Sequence, residues 1–333
     1  MHTKLDFNFK TIVITGGAGF IGSNIALYLQ ENYPLSTIII FDCFRSDEVL
    51  ANGNLKSFGH YKNLIDFKGI VICGDISNKK DLKKLSDYKI DYIFHQAAIS
   101  DTRVYDQELV FKTNINSFYE LISIATKNNS TIIYASSAAT YGSVNSPQII
   151  GNESPENPYG YSKLAMDNIA FQCKKTNPDI RVIGLRYFNV YGPGEFYKGK
   201  TASVVIQLGH QILDNKMPRL FEGSNKIFRD FIHIDDIVQA VIKSCDLQKN
   251  GLYNVGTGKA RSFQDISDIL QKELNTNLSN QYFPNPYEGY QFHTQADISS
   301  TKTDLGYSPV MSLEKGIKSY IPEIKRLHGH EPI

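Results

Sequence analysis

The feature that most constrains this chain is the junction TIVITGGAGFIGSNIALYLQ, where a β-branched run (11–15) passes through Gly16, Gly19 and Gly22 into a helix-like stretch (23–32). Glycines at this spacing allow a tight turn and let a pyrophosphate approach the backbone, while the helix N-terminus offers it unpaired N–H groups and partial positive charge. Glycines alone also mark ordinary turns, but strand, glycines and helix in this order predict the opening unit of a dinucleotide-binding sheet. Asp42, followed by Cys43, lies 20 residues past Gly22 at the end of the next β-like run, where a carboxylate can bind an adenosine ribose.

The same rhythm continues. STIIIFD (36–42), GIVICGD (69–75), DYIFHQAA (91–98), STIIYASS (130–137) and RVIGLRYFN (181–189) are short and apolar without alternation, as befits parallel strands covered on both faces. Helix-like stretches at 23–32, 79–86 and 114–127 separate them. The expected fold class is α/β, a Rossmann-type doubly wound parallel sheet with a smaller C-terminal α/β substrate domain. After Asn189 the pattern changes to the glycine-rich YGPGEFYKGKTA, a helix at 203–215, a strand-like LYNVG (252–256), one more helix at 262–274, and loops rich in Pro, Asn and Tyr. Residues 1–188 and about 230–259 are assigned to the dinucleotide-binding domain, and about 189–229 and 260–333 to the substrate domain. No internal repeat is visible, and KKDLKK (79–84) reads as a solvated helix face.

With 35 Lys+Arg against 34 Asp+Glu, the chain carries no bulk charge that would favour nucleic acid or an anionic membrane. No apolar run reaches the roughly 18 residues of a membrane span, and the N-terminal stretch lacks a signal-peptide core. Cys43, Cys73, Cys173 and Cys245 are too scattered for a disulfide framework or zinc knuckle. A cytoplasmic protein without a metal is expected, and His95 reads as a packed histidine. At the cofactor end, Asp75 and Ile76 close the third run near the adenine, and small residues at 96–100 let a cofactor lie close. Asp42 favours NAD by repelling a 2′-phosphate, whereas Arg45 favours NADP by neutralising one; Arg45 could equally be a surface arginine, and the residues alone leave this choice open.

The chemical signal is NPYGYSKLAMDN. Tyr159 and Lys163 stand four apart behind a plausible helix start at Asn157-Pro158, so they share a helix face. A phenol with a pKa of about 10 becomes a base near neutrality only when a nearby positive charge favours the phenolate. Tyr161 competes for the role. Ser136 and Ser137 end the preceding strand, and Ser137 is chosen to hydrogen-bond the reacting oxygen.

TGGAGFIG, YASSAATYG, YGYSK and LRYFNVYGP together resemble the extended branch of the short-chain dehydrogenase/reductases, the NAD-dependent epimerase/dehydratase family. HQAAISDT, ESPENPYGYSK, RYFNVYGPGEFYKGKTAS, LFEGSNKIFRDFIHIDD and QFHTQAD are similar to the subgroup that epimerises ADP-heptose for lipopolysaccharide, from Thr11 to about Lys325. The resemblance implies a catalytic Tyr159, its partner Lys163, a supporting Ser137 and a second catalytic lysine, Lys198. It implies tightly held NADP, with Phe20, Ile21, Gln96, Ala97, Ala98, Ile99, Ser100, Asn114 and Val190 as further cofactor contacts. Asn189, Ser203, Phe221, Glu222, Gly223, Ser224, Arg229 and Tyr290 match positions lining the sugar-nucleotide site, and the resemblance suggests a homopentamer. From the residues alone, Lys198 could instead bind the diphosphate or be solvated, and Arg229 could form a structural ion pair with Asp230 or a similar group. Gly194 and Lys200 depart from the subgroup's pattern in the loop that carries Lys198. A nucleotide-sugar 4-epimerase or other extended short-chain dehydrogenase, and a non-catalytic NADP-binding protein, stay open as alternatives; a dehydratase fits poorly, because SSAATYG lacks the extra acid.

Overall fold

The computed structural model describes residues 5–177, 179–285 and 291–332. Its strands, in chain order, are β1 (Thr11–Thr15), β2 (Thr37–Asp42), β3 (Ile70–Cys73), β4 (Tyr92–His95), β5 (Thr131–Ser137), β6 (Arg181–Tyr187), β7 (Asn189–Tyr191), β8 (Arg219–Phe221), β9 (Phe228–His233), β10 (Gly251–Val255), β11 (Ala260–Ser262) and β12 (Gln281–Phe283). Seven of them form one sheet in the order β10-β6-β5-β4-β1-β2-β3, with every pairing parallel. The order reverses between β1 and β4, and there a crevice opens at the carboxyl ends of the strands. The α/β doubly wound expectation holds.

Alternation along each strand explains why both faces are apolar. Ile12, Ile14, Ile38, Ile40, Phe94 and Ile133 face one cluster with Ile25 and Leu29 of α1 (Phe20–Asn32). Val13, Ile39, Phe41, Ile93 and Ile132 face the other. The remaining helices are α2 (Lys79–Leu82), α3 (Gln107–Phe111), α4 (Ser117–Asn128), α5 (Pro158–Thr176), α6 (Val204–Leu213), α7 (Ile234–Ser244), α8 (Phe263–Leu274), α9 (Ser299–Leu305) and α10 (Leu313–Leu327). α7 covers the first face through Ile237 and Val241, while α4 and α5 cover the second through Phe118, Leu121, Met166 and Ile169. No described helix is long and apolar enough to cross a membrane.

Several boundaries differ from expectation. The helix expected at 114–127 starts earlier, as α3, and passes through a π turn over Lys112–Asn116 into α4. The stretch at 79–86 is helical only to Leu82 and then tightens into a 3-10 turn. The run at 181–189 breaks at Phe188, and β7 leaves the large sheet to pair with β9. The C-terminal region holds two more helices than expected. In α10 the buried Leu313, Ile317, Tyr320, Ile321 and Ile324 fall three or four apart, a helical stripe interrupted in composition by Pro322. That stripe joins α6 and α8 in a separate apolar cluster with Val205, Leu208, Ile266 and Leu270.

Candidate active site

At the end of β1 the backbone turns through Gly16 at φ +68°, and a Cβ there would stand 2.6 Å from the Ala97 nitrogen. A Cβ on Gly22 would stand 2.3 Å from the Gly16 carbonyl oxygen. Only glycine permits this close-packed turn. Helix α1 starts immediately after it, with Gly19 at the N-cap, no side chain capping it and no acidic residue in its first turn. Its positive end is therefore left for an external anion. Beneath it, Thr15 Oγ1 and His95 Nδ1 are 2.7 Å apart. His95 is fully buried, and burial, followed by the nearby Lys163 charge, drives its pKa down to about 3. It is a neutral packed residue.

These residues floor a cavity of about 570 Å³, lined by Gly16, Gly19, Phe20, Ile21, Gly22, Asp42, Cys43, Asp75, Ile76, Gln96, Ala97, Ala98, Ile99, Ser100 and Val190. Two expected contacts lie elsewhere. Arg45 does not line the cavity, because its guanidinium donates to the carbonyl of Pro332 in the C-terminal tail. Asn114 is buried behind the lining: its Oδ1 accepts from the Ile99 nitrogen (2.9 Å) and its Nδ2 donates to Ser162 Oγ (2.9 Å). Asn114 therefore shapes the loop and does not itself face the cavity. Asp42 lines the cavity but turns inward, accepting from the nitrogens of Ala18 (3.0 Å) and Phe44 (2.9 Å), and burial pushes its pKa up. Sequence reasoning missed Lys56, Ser57 and Phe58, which line the cavity beside Asp42. The available signal was the long stretch without regular structure after the second strand, since such loops are often functional.

Helix α5 builds the other end. Asn157 caps it through a 2.8 Å bond to the Gly160 nitrogen, and Pro158 occupies the first turn, so Tyr159 and Lys163 both line the cavity. Tyr161 points away; it is 51% exposed and packs on Phe111. At the end of β5, the two serines divide. Ser136 donates to Asp167 (3.0 Å) in a buried group with Tyr134 and Arg186. Ser137, whose Oγ accepts from the Ala139 nitrogen (3.1 Å), lines the cavity with Tyr159. Burial raises the Tyr159 pKa and Ser137 pulls it back. Lys163 is buried and donates to the Ala135 carbonyl at 2.7 Å. Burial lowers its pKa to about 8, against the upward pull of Asp167.

Lys198 reaches the same cavity from the loop between β7 and α6; its Nζ is 5.7 Å from the centre of the Phe20 ring. Burial lowers its pKa, while Glu195 and Asp101 oppose that shift. Gly194 has φ +94°, and a Cβ would press to 3.0 Å against Asn24 Nδ2, which is bonded to the Pro193 carbonyl. The loop is thus shaped around glycine at this position. Lys200 is exposed.

Of the expected substrate contacts, Asn189 and Ser203 line the cavity. Phe221, Glu222, Gly223, Ser224 and Arg229 stand outside the lining, and Tyr290 lies outside the described residues. Arg229 is connected to the cavity through Phe263, a lining residue whose ring centre is 5.8 Å from the guanidinium carbon. Asp230 itself accepts from Thr257, Gly258 and Ala296. Ser224 is buried, and its hydroxyl has no hydrogen-bond partner among the described residues.

The glycine turn that no side chain could enter, the uncapped N-terminus of α1 and the buried Nε2 of Gln96, unpartnered among the described residues, all fit a dinucleotide. Together with the strand order, they define the architecture of an extended short-chain dehydrogenase/reductase. The chain belongs to the NAD dependent epimerase/dehydratase family, whose model matches residues 12–256. That family implies a nicotinamide cofactor. A Brachyspira hyodysenteriae protein named ADP-L-glycero-D-manno-heptose-6-epimerase is 37% identical, over 96% of this chain and 99% of its own length. The crystal structure of Helicobacter pylori ADP-L-glycero-D-manno-heptose-6-epimerase superimposes with a TM-score of 0.89 at 47% identity, covering 98% of this chain and 99% of that one. Thermotoga maritima UDP-glucose 4-epimerase, solved with UDP-glucose, gives 0.84 at 25% identity, covering 95% and 99%.

Proposed function

We propose that this protein interconverts ADP-D-glycero-D-manno-heptose and ADP-L-glycero-D-manno-heptose by transient oxidation at C6. The observation that carries this is one cavity in which Tyr159, Ser137 and Lys198, from three different elements, line the space that continues to the glycine turn. The two heptose 6-epimerase relatives support the choice of sugar.

When bound, the nicotinamide dinucleotide supplies reversible hydride transfer at C6. Gly16, Gly19, Gly22 and the start of α1 hold its pyrophosphate, and Lys163 holds its ribose. Tyr159 accepts the C6 hydroxyl proton, with Lys163 favouring the phenolate and Ser137 orienting the oxygen. The resulting C6 ketone is planar. Once the sugar turns, its oxygen faces another wall of the cavity, and Lys198 handles the proton there. Positioned acid–base groups of this kind are worth about 10²–10⁴-fold, or roughly 3–5 kcal/mol. Asn189 and Ser203 contact the sugar, and Arg229 takes the diphosphate with its planar fork.

The cofactor in this proposal is NADP. Lys56 and Ser57 line the adenosine end, while the Asp42 carboxylate is turned onto backbone N–H groups. The Lys56 ammonium, which here pairs with Glu48 at 2.7 Å, would exchange that partner for a 2′-phosphate and take the part first expected of Arg45. Segments 189–229 and 260–333 form the substrate portion, an assignment supported by the separate apolar cluster of α6, α8 and α10. By kinship, we further assign a cytoplasmic homo-oligomer, a homopentamer by resemblance, that supplies heptose for lipopolysaccharide. The test is incubation with ADP-D-glycero-D-manno-heptose and, separately, UDP-glucose, followed by NMR of the products. Inversion at C6 of the heptose is expected; inversion only at C4 of glucose would replace the proposal with a 4-epimerase.

A further inference from the structure

The loop that carries Lys198 is closed by a buried carboxylate to which nothing above assigns a role. Glu195 is fully buried. Its Oε1 accepts from the Gly192 nitrogen (3.2 Å) and from Ser203 Oγ (2.7 Å), and its Oε2 accepts from the Ser203 nitrogen (2.6 Å). Its backbone carbonyl accepts from the Lys198 nitrogen at 3.0 Å. One side chain therefore ties the start of the loop to its end, across the turn that presents Lys198.

Ser203 shows that this arrangement displaces a more ordinary one. It is the N-cap residue of α6, yet its hydroxyl makes no capping bond to the helix. That hydroxyl donates to Glu195 instead, giving up the stabilising bond that an N-cap serine usually makes. A carboxylate kept from water also needs positive charge nearby. Burial pushes the Glu195 pKa up, and the Lys198 charge leads the groups that oppose that rise, ahead of the hydrogen bonds from Ser203 and Gly192. Burial likewise pushes the Lys198 pKa down, and Glu195 leads the groups that oppose it.

We propose that Glu195 is the positioning residue for Lys198: its carboxylate pins both ends of the loop and places a negative charge that favours the protonated ammonium in the cavity. The other acidic group facing Lys198 is Asp101, on the segment after β4. Tyr191 of β7 and Tyr320 of α10 face Glu195 as neutral phenols, with burial raising both pKa values. Glu195 is thus the acidic group on the loop itself, and Asp101 supplies the rest of the counter-charge. The inference rests on the assignment of Lys198 above, and extends it to what sets the lysine's protonation and aim.

The test combines chemistry on Lys198 with kinetics, on the full chain with its bound cofactor. Acetylation of Lys198 by an N-hydroxysuccinimide ester is followed against pH by peptide mass spectrometry, without substrate. In Glu195→Gln, which removes the charge, the acetylation midpoint moves to lower pH, and the rate at pH 7 rises about tenfold, the equivalent of one pKa unit. In Glu195→Asp, which keeps the charge but is one methylene too short for its partners, the midpoint stays near that of the native chain. Epimerase kcat falls at least tenfold in both variants, with KM changed less than threefold. If Glu195→Gln fails to fold, Glu195→Asp decides by its midpoint and kcat: a kcat within threefold of native overturns the proposal. So does an unchanged midpoint in folded Glu195→Gln. A native chain that leaves the heptose untouched, yet shows the shifted midpoint, would sink the function and spare the Glu195–Lys198 coupling.

Discussion

The Lys163 ammonium stands 5.9 Å from the centre of the Tyr159 ring while donating a 2.7 Å hydrogen bond to the Ala135 carbonyl. The two side chains are four residues apart on α5, and the strand that supplies Ala135 also supplies Ser137. The helix thus aims the pair and the strand fixes it. Tyr159→Phe should lower kcat about 10²–10⁴-fold, the usual worth of a positioned acid–base group, and leave the cofactor bound. Tyr161→Phe, at the exposed tyrosine, should leave kcat within about twofold. Steady-state kinetics on both variants checks the assignment.

Lys163 is also a source of pH dependence. Its folded pKa of about 8 lies below the ordinary 10.5. Between those values the unfolded chain binds a proton that the native chain does not, so stability rises with pH across that window. Below about pH 8 the buried charge costs up to about 3 kcal/mol in the cofactor-free protein. Lys163→Met should therefore remove the rise in stability between pH 8 and 10 while abolishing activity. Urea unfolding at both pH values measures it.

His95 acts in the acid range. Its pKa of about 3 is depressed from 6.5, so its contribution is fully present above pH 6.5 and is lost as the pH falls toward 3. Between pH 7 and 4 the native chain should lose about 3 kcal/mol through this residue. His95→Asn should show a loss smaller by that amount in denaturant unfolding at the two pH values.

Gly22→Ala tests the cradle. The added methyl would meet the Gly16 carbonyl oxygen at 2.3 Å, backbone that has no room to give. The variant should retain its far-ultraviolet circular dichroism, lose a few degrees of thermal stability, and purify without dinucleotide, as measured by chromatography of the denatured supernatant.

What could be read from sequence was local. The strand, glycine turn and helix are contiguous, and Tyr159 and Lys163 are one helical turn apart, so spacing alone brings them together. What could not be read depends on distant partners. Arg45 sits where a phosphate-binding arginine belongs, but Pro332, 287 residues on, takes its guanidinium. Glu195 looks like an ordinary loop carboxylate until α10 and Ser203 close over it. The run RYFNVY carries aromatic or β-branched residues on both sides of Phe188, so nothing local marks the break there where β7 swings out to β9. Helix α10 was hidden by Pro322 and by the lysines and glutamates on its outer side.

The most direct test of redox epimerisation in this cavity uses ADP-D-glycero-D-manno-heptose deuterated at C6. The protein is used as purified, with no added nucleotide. The C6-inverted product should keep its deuterium, and unlabelled substrate turned over in D₂O should gain none at C6. Loss of the label, with solvent-derived hydrogen at C6, would mean that the carbon exchanges a proton, and the proposed oxidation and return would be wrong.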